Sequence, residues 1–164
     1  MVSSRRSFIK HAIGASASAP AFAAASQGSG AQGQPSGVRG FDHVALPMQN
    51  VEAMLAFYKR LGFQVIEGAQ SCSVHFGTQM INFHRPSLWQ NTAFTLRAPA
   101  AKPPCGDLCF AWDGTPDSLR AMLETAGARV ITGPVSRVGG RQITGSSVYV
   151  RDPDENLLEF IIYS

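Results

Sequence analysis

One stretch of this chain occurs twice, and that constrains its fold more than any other feature. Leu61-Gly62-Phe63-Gln64-Val65-Ile66-Glu67-Gly68 and Ala126-Gly127-Ala128-Arg129-Val130-Ile131-Thr132-Gly133 share Gly, Val, Ile and Gly at a constant offset of 65 residues. Self-similarity at a fixed spacing means one supersecondary unit used twice. The flanks agree. Before the first copy, Asn50 can cap a helix whose apolar residues Val51, Met54, Leu55, Tyr58 and Leu61 fall at helical spacing, with Gly62 as its stop. Before the second, Thr115-Pro116 supplies a cap and a first-turn proline, Leu119, Met122, Leu123 and Ala126 form the stripe, and Gly127 ends it.

A short strand precedes each helix, Phe41 to Leu46 and Asp107 to Trp112. Strand-like runs follow: Phe63 to Glu67, Ser71 to Phe76 and Thr78 to His84 in the first copy, and Arg129 to Thr132, Ser146 to Arg151 and Asn156 to Tyr163 in the second. A further strand around Pro134 to Ile143 is weakened by Gly139-Gly140. The predicted fold is α+β, a βαβββ module over 41–84, a Pro-rich connection over 85–106, and a second βαβββ module over 107–163. Two mixed four-stranded sheets, each with one face covered by a helix, can pair their open faces around a cleft.

At 164 residues, 45% apolar and 15% charged, the chain has the composition of one globular domain and not of a disordered segment. Its net charge of +3 sits at one end: Arg5, Arg6 and Lys10 precede the first acidic residue, Asp42, and 11–164 holds as many basic as acidic side chains. Without a basic run in the body, nucleic-acid binding is excluded as the main function. Three cysteines, Cys72, Cys105 and Cys109, are too few for a disulfide framework. In one extended segment Cys105 and Cys109 would stand about 13 Å apart, beyond the roughly 7 Å reach of a bridge.

The amino terminus reads as an address. Adjacent Arg5 and Arg6 stand just ahead of an alanine-rich stretch, His11 to Ala25, ending in small residues. Residues 1–25 resemble a twin-arginine signal peptide. The stretch, interrupted by Pro20, is too short and polar for a stable membrane anchor. The resemblance implies export of a folded protein, to the periplasm or beyond, often with its cofactor already inserted. Residues 26–40, rich in Gly, Ser, Gln and Ala, read as a flexible tether.

Three segments carry a family resemblance: Phe41-Asp42-His43-Val44-Ala45-Leu46, Phe57-Tyr58-Lys59-Arg60-Leu61-Gly62-Phe63, and Ser147 to Phe160 with its Arg-Asp-Pro-Asp-x-Asn-Leu-x-Glu pattern. Together they resemble the vicinal oxygen chelate superfamily, which includes glyoxalase I, extradiol dioxygenases and the fosfomycin and bleomycin resistance proteins. The resemblance implies a divalent metal in the cleft, held by side chains from the first and last strands of each module. Strand parity is compatible with that, because alternate residues share a face. His43 lies with Phe41 and Ala45, Asn82 with His84, and Glu159 with Leu157 and Ile161. A carboxylate on so apolar a strand is costly to bury unless a cation or donor meets it.

His43 and Glu159 match the superfamily's first and last ligand positions. Asn82 stands where the glyoxalase pattern has Glu, and Asp107 where it has His. The repeat offset pairs His43 with Leu108, so choosing Asp107 requires a one-residue insertion, for which Gly114 is the candidate. His84 has three readings: a nitrogen ligand, a substrate-facing acid or base, or a histidine on the rim. A set of imidazole, carboxylate and amide without thiolate suits Mn, Fe, Ni or Zn. Two adjacent substrate oxygens would chelate the ion, Glu159 or His84 would move a proton, and Trp89, Phe94, Trp112 and Tyr149 could wall the site.

Three functions stay open at this level: a metal-dependent enzyme of glyoxalase or dioxygenase type, a module that sequesters a small molecule as bleomycin-resistance members do, and a single-domain extradiol dioxygenase using His43, His84 and Glu159. Each has a small molecule as partner. Superfamily members often form homodimers, sometimes exchanging modules so that one cleft draws on two chains.

Overall fold

A computed structural model describes residues 37–163. The segments expected to be a signal peptide, 1–25, and a tether, 26–40, lie wholly and mostly outside the described residues, respectively. The chain divides into two units, 1–38 and 39–164, and the second carries every element below.

The first module runs β1 (His43–Pro47), α1 (Val51–Arg60), β2 (Gln64–Glu67), β3 (Ser71–Phe76) and β4 (Gln79–His84). One helical turn, α2 (Pro86–Trp89), opens the connection. The second module runs β5 (Asp107–Ala111), α3 (Pro116–Ala126), β6 (Thr132–Val138), β7 (Thr144–Arg151) and β8 (Leu157–Tyr163). The sheets have orders β1-β4-β3-β2 and β5-β8-β7-β6, the same topology twice. In each, the first and last strands pair in parallel and the rest antiparallel.

The helix caps follow local chemistry in one module only. Thr115 accepts a hydrogen bond from the Ser118 N–H, with Pro116 in the first turn, and Gly127 ends α3 in the left-handed region at φ 69°. Asn50, expected to cap α1, instead donates its amide to the Pro153 carbonyl and to Asp154 of the other module. The expected strand at Arg129 to Thr132 forms only from Thr132 onward: β6 pairs with β7 and takes up much of the run read as weak, with a register break between Thr132 and Val135. Its geometry at Gly133-Pro134 defeats the simple alternation on which strand reading depends.

Alternate residues of each sheet build a shared core. Tyr58, Val74, Ile81 and Phe83 from the first module and Leu119, Leu123, Val150, Leu158 and Phe160 from the second are almost wholly buried. The modules join at an aromatic seam in which Phe110 meets Phe63 at 5.3 Å, Phe76 at 5.2 Å and Phe160 at 5.5 Å between ring centroids. Trp112, a candidate for the cleft wall, turns instead to α3, donating to Ser118 Oγ and packing against the core.

The most specific part of the sequence resemblance is a fastener between modules. Asp152 accepts from the Asp154 and Asn156 N–H groups, the Asn156 side chain and the buried Tyr58 hydroxyl. Asp154 accepts from the Gln49 and Asn50 N–H groups, and Asn156 Oδ1 from those of Cys105 and Gly106. Burial, then the Asp152 charge, keeps Tyr58 well above the usual phenol range, so it stays a donor. Buried polar groups with partners on both modules fix how the halves meet.

Candidate functional site

Strand register decides which donors share a face. On the first sheet His43 pairs with Met80, Ala45 with Asn82 and Pro47 with His84, so His43, Asn82 and His84 occupy the face opposite the core. On the second, Asp107 pairs with Leu157 and Cys109 with Glu159, so Asp107, Cys109 and Glu159 share the corresponding face. The β5–α3 loop, 112–115, is one residue longer than the β1–α1 loop, 48–50, and contains Gly114. Asp107 therefore opens β5 as His43 opens β1. Asn82 and Glu159 also correspond, each lying beside the residue two places after that opening position. The donors thus form two equivalent pairs, His43 with Asn82 and Asp107 with Glu159.

Each end of the expected ligand set has an orienting partner. His43 Nδ1 lies 2.7 Å from Asp42 Oδ1, on an imidazole about half exposed. Glu159 Oε1 accepts from the hydroxyl of Ser147, which is fully buried. Burial, then the charge and hydrogen bond of Glu159, pushes the Cys109 thiol up to about 12, so at neutral pH it is a protonated neighbour of the carboxylate and not a nucleophile. His43, Asp107 and Cys109 line a groove of about 360 Å³ between the starts of β1 and β5, with Phe76 and Phe110 among its walls.

The connection covers the other end of the first sheet's face. His84 is 7% exposed, its ring edge-on to Phe94 at 5.4 Å and its Nε2 3.4 Å from the Asn82 amide. Burial holds its pKa below the usual histidine value. Trp89 donates to the Met48 carbonyl, and His84, Trp89 and Arg97 line a pocket of about 50 Å³. Tyr149 on β7 is the cross-strand partner of Glu159 on β8, its hydroxyl accepting from Arg137.

The family model of the glyoxalase/bleomycin resistance protein/dioxygenase superfamily matches residues 40–160. The chain belongs to this superfamily. It is 34% identical over 129 residues to the glyoxalase domain-containing protein RDO1 of Mycosarcoma maydis, covering 77% of this chain and 69% of that protein. It is 33% identical over 126 residues to the virulence protein STM3117 of Salmonella typhimurium, covering 74% and 83%. The crystal structure of STM3117 superposes with a TM-score of 0.67, covering 77% of this chain and 98% of that one. A lactoylglutathione lyase from Agrobacterium tumefaciens, 22% identical with a TM-score of 0.58 over 79% of this chain and 95% of that one, shares the fold.

Members of the superfamily often use a divalent metal, and the chemistry of the donor pairs can be tested against that. Ligating histidines characteristically give their second ring nitrogen to a carboxylate, and ligating carboxylates are themselves hydrogen-bonded. Asp42 on His43 and Ser147 on Glu159 fit that pattern. Among the described residues, however, no three His, Cys, Asp or Glu side chains gather closely enough to hold an ion. The orienting roles of Ser147, Asp42 and Cys109 escaped sequence reading. Only Asp42, adjacent to His43, leaves a signal there, whereas Ser147 and Cys109 depend on cross-strand register.

Proposed function

We propose that this chain is an exported, divalent-metal-dependent enzyme of the superfamily, acting on a small substrate that chelates the ion through adjacent oxygens, with each site completed by two copies of the chain. The observation that carries this reading is the pair of oriented side chains: His43 held at Nδ1 by Asp42 and Glu159 held at Oε1 by Ser147. When bound, such an ion stabilises negative charge developing on a substrate oxygen.

The chain's own residues do the rest. Asp42 selects the imidazole tautomer whose Nε2 lone pair faces outward. Ser147 holds one oxygen of Glu159, so the other can ligate or accept a substrate proton. His43 and Asn82 come from one copy, and Asp107 and Glu159 from the second. The exposed Phe41 and Leu96, 83% and 84% accessible, supply apolar surface suited to burial between copies.

The neutral Asn82, lying where a carboxylate would strengthen the ion's hold, favours a second reading: a dimeric module that sequesters a small molecule without metal. Elemental analysis of protein recovered through its own export route, with mass determination of its amino terminus and of its assembly, separates the two. A stoichiometric ion in a leader-free dimer, lost in both His43→Ala and Glu159→Ala while the dimer persists, supports the enzyme. Folded, metal-free wild-type protein supports sequestration.

A further inference from the structure

Arg97 lies in the connection where it crosses the open face of the first sheet. Its guanidinium donates to the Ala98 and Pro99 carbonyls at 3.3 and 2.9 Å, which ties it to its own loop. Its Nε is buried without an acceptor, the one side-chain atom among the described residues in that condition. No carboxylate of the described residues forms an ion pair with it. A part-buried guanidinium with no carboxylate paired to it lacks a counter-ion.

The pocket beside it fits a group of definite size. Ala45, Pro47, Ala98 and Ala101 give it apolar walls, and His84, Trp89 and Arg97 complete its lining. Its volume of about 50 Å³ exceeds the roughly 10–15 Å³ that a cavity needs to hold one water, so it suits the small head of a larger molecule. Apolar walls strengthen attraction between the guanidinium and an anion. The Asn82 amide lies 3.4 Å from His84 Nε2, so the pocket borders a residue of the first donor pair.

We propose that Arg97 and His84 form a subsite for one carboxylate group, which makes the substrate a small organic acid. This names the substrate class of the cleft assigned above and rests on that assignment, but the subsite itself needs no metal, so it is tested on metal-free protein and the two can fail separately. In full-length protein carrying Trp112→Phe, Trp89 fluorescence reports on the pocket directly. At constant ionic strength, acetate should give a saturable change and its neutral isostere acetamide none. Arg97→Gln should weaken acetate binding by about tenfold or more, Arg97→Lys should restore part of it, and His84→Gln should weaken it several-fold. If Arg97→Gln proves unstable, comparison of Arg97→Lys with the parent and of acetate with acetamide still decides. Equal responses to acetate and acetamide, unchanged acetate binding in the Arg97 variants, or phosphate binding tighter than acetate would each overturn the proposal.

Discussion

Glu159 stands on a strand of leucine, phenylalanine and isoleucine, and its surroundings explain how a carboxylate is tolerated there. Ser147 donates to one oxygen and the Cys109 thiol stays protonated beside it. Removing the hydroxyl in Ser147→Ala should weaken metal affinity by about 10- to 100-fold with little change in fold, measured by competition with a chelating dye. Glu159→Gln removes the charge that helps hold the thiol near 12, so iodoacetamide should label Cys109 faster at pH 8 in the variant, as located by peptide mass. Equal labelling rates would separate Cys109 from Glu159. His84 makes a pH prediction. Because burial lowers its folded pKa, stability is complete above the ordinary value, about 6.5, and declines as pH falls through the lowered folded value. Denaturation midpoints in chelator at pH 7.5 and 5.5 should therefore differ more in wild type than in His84→Gln. At this scale the sequence disclosed which residues alternate onto one face, as with Asn82 and His84, but not Ser147, whose role exists only once β7 lies beside β8.

The elements were legible where local chemistry and tertiary packing agree. α3 begins at Thr115-Pro116 and ends at Gly127 because cap, proline and glycine each favour that boundary without outside help. α1 starts after Asn50 as its apolar spacing requires, yet Asn50 serves the other module. β6 departs from the expected boundaries because a register break between Thr132 and Val135 interrupts the alternation that marks a strand. The 152–156 turn shows how a sequence signature can be architectural. Asp154→Ala would strand the Gln49 and Asn50 N–H groups and should lower stability by about 2–4 kcal/mol in urea unfolding. A loss below about 0.5 kcal/mol would mean that the fastener does not hold the modules together.

At the scale of the molecule, the repeat read in the sequence became two sheets of identical topology sharing one core. What periodicity could not convey is how two open faces are disposed in space, since that depends on packing at the Phe110 seam and the 152–156 turn. The proposed function requires that two copies complement each other: His43 of one with Glu159 of the next. Mixing tests that directly. His43→Ala and Glu159→Ala proteins, each metal-free alone, are unfolded together, refolded and isolated as mixed dimers carrying two different affinity tags. Complementation between copies predicts one intact site in each mixed dimer and so about half the wild-type ion content, because one cleft unites two unaltered halves while the other unites two altered ones. Mixed dimers as empty as their parents would contradict it.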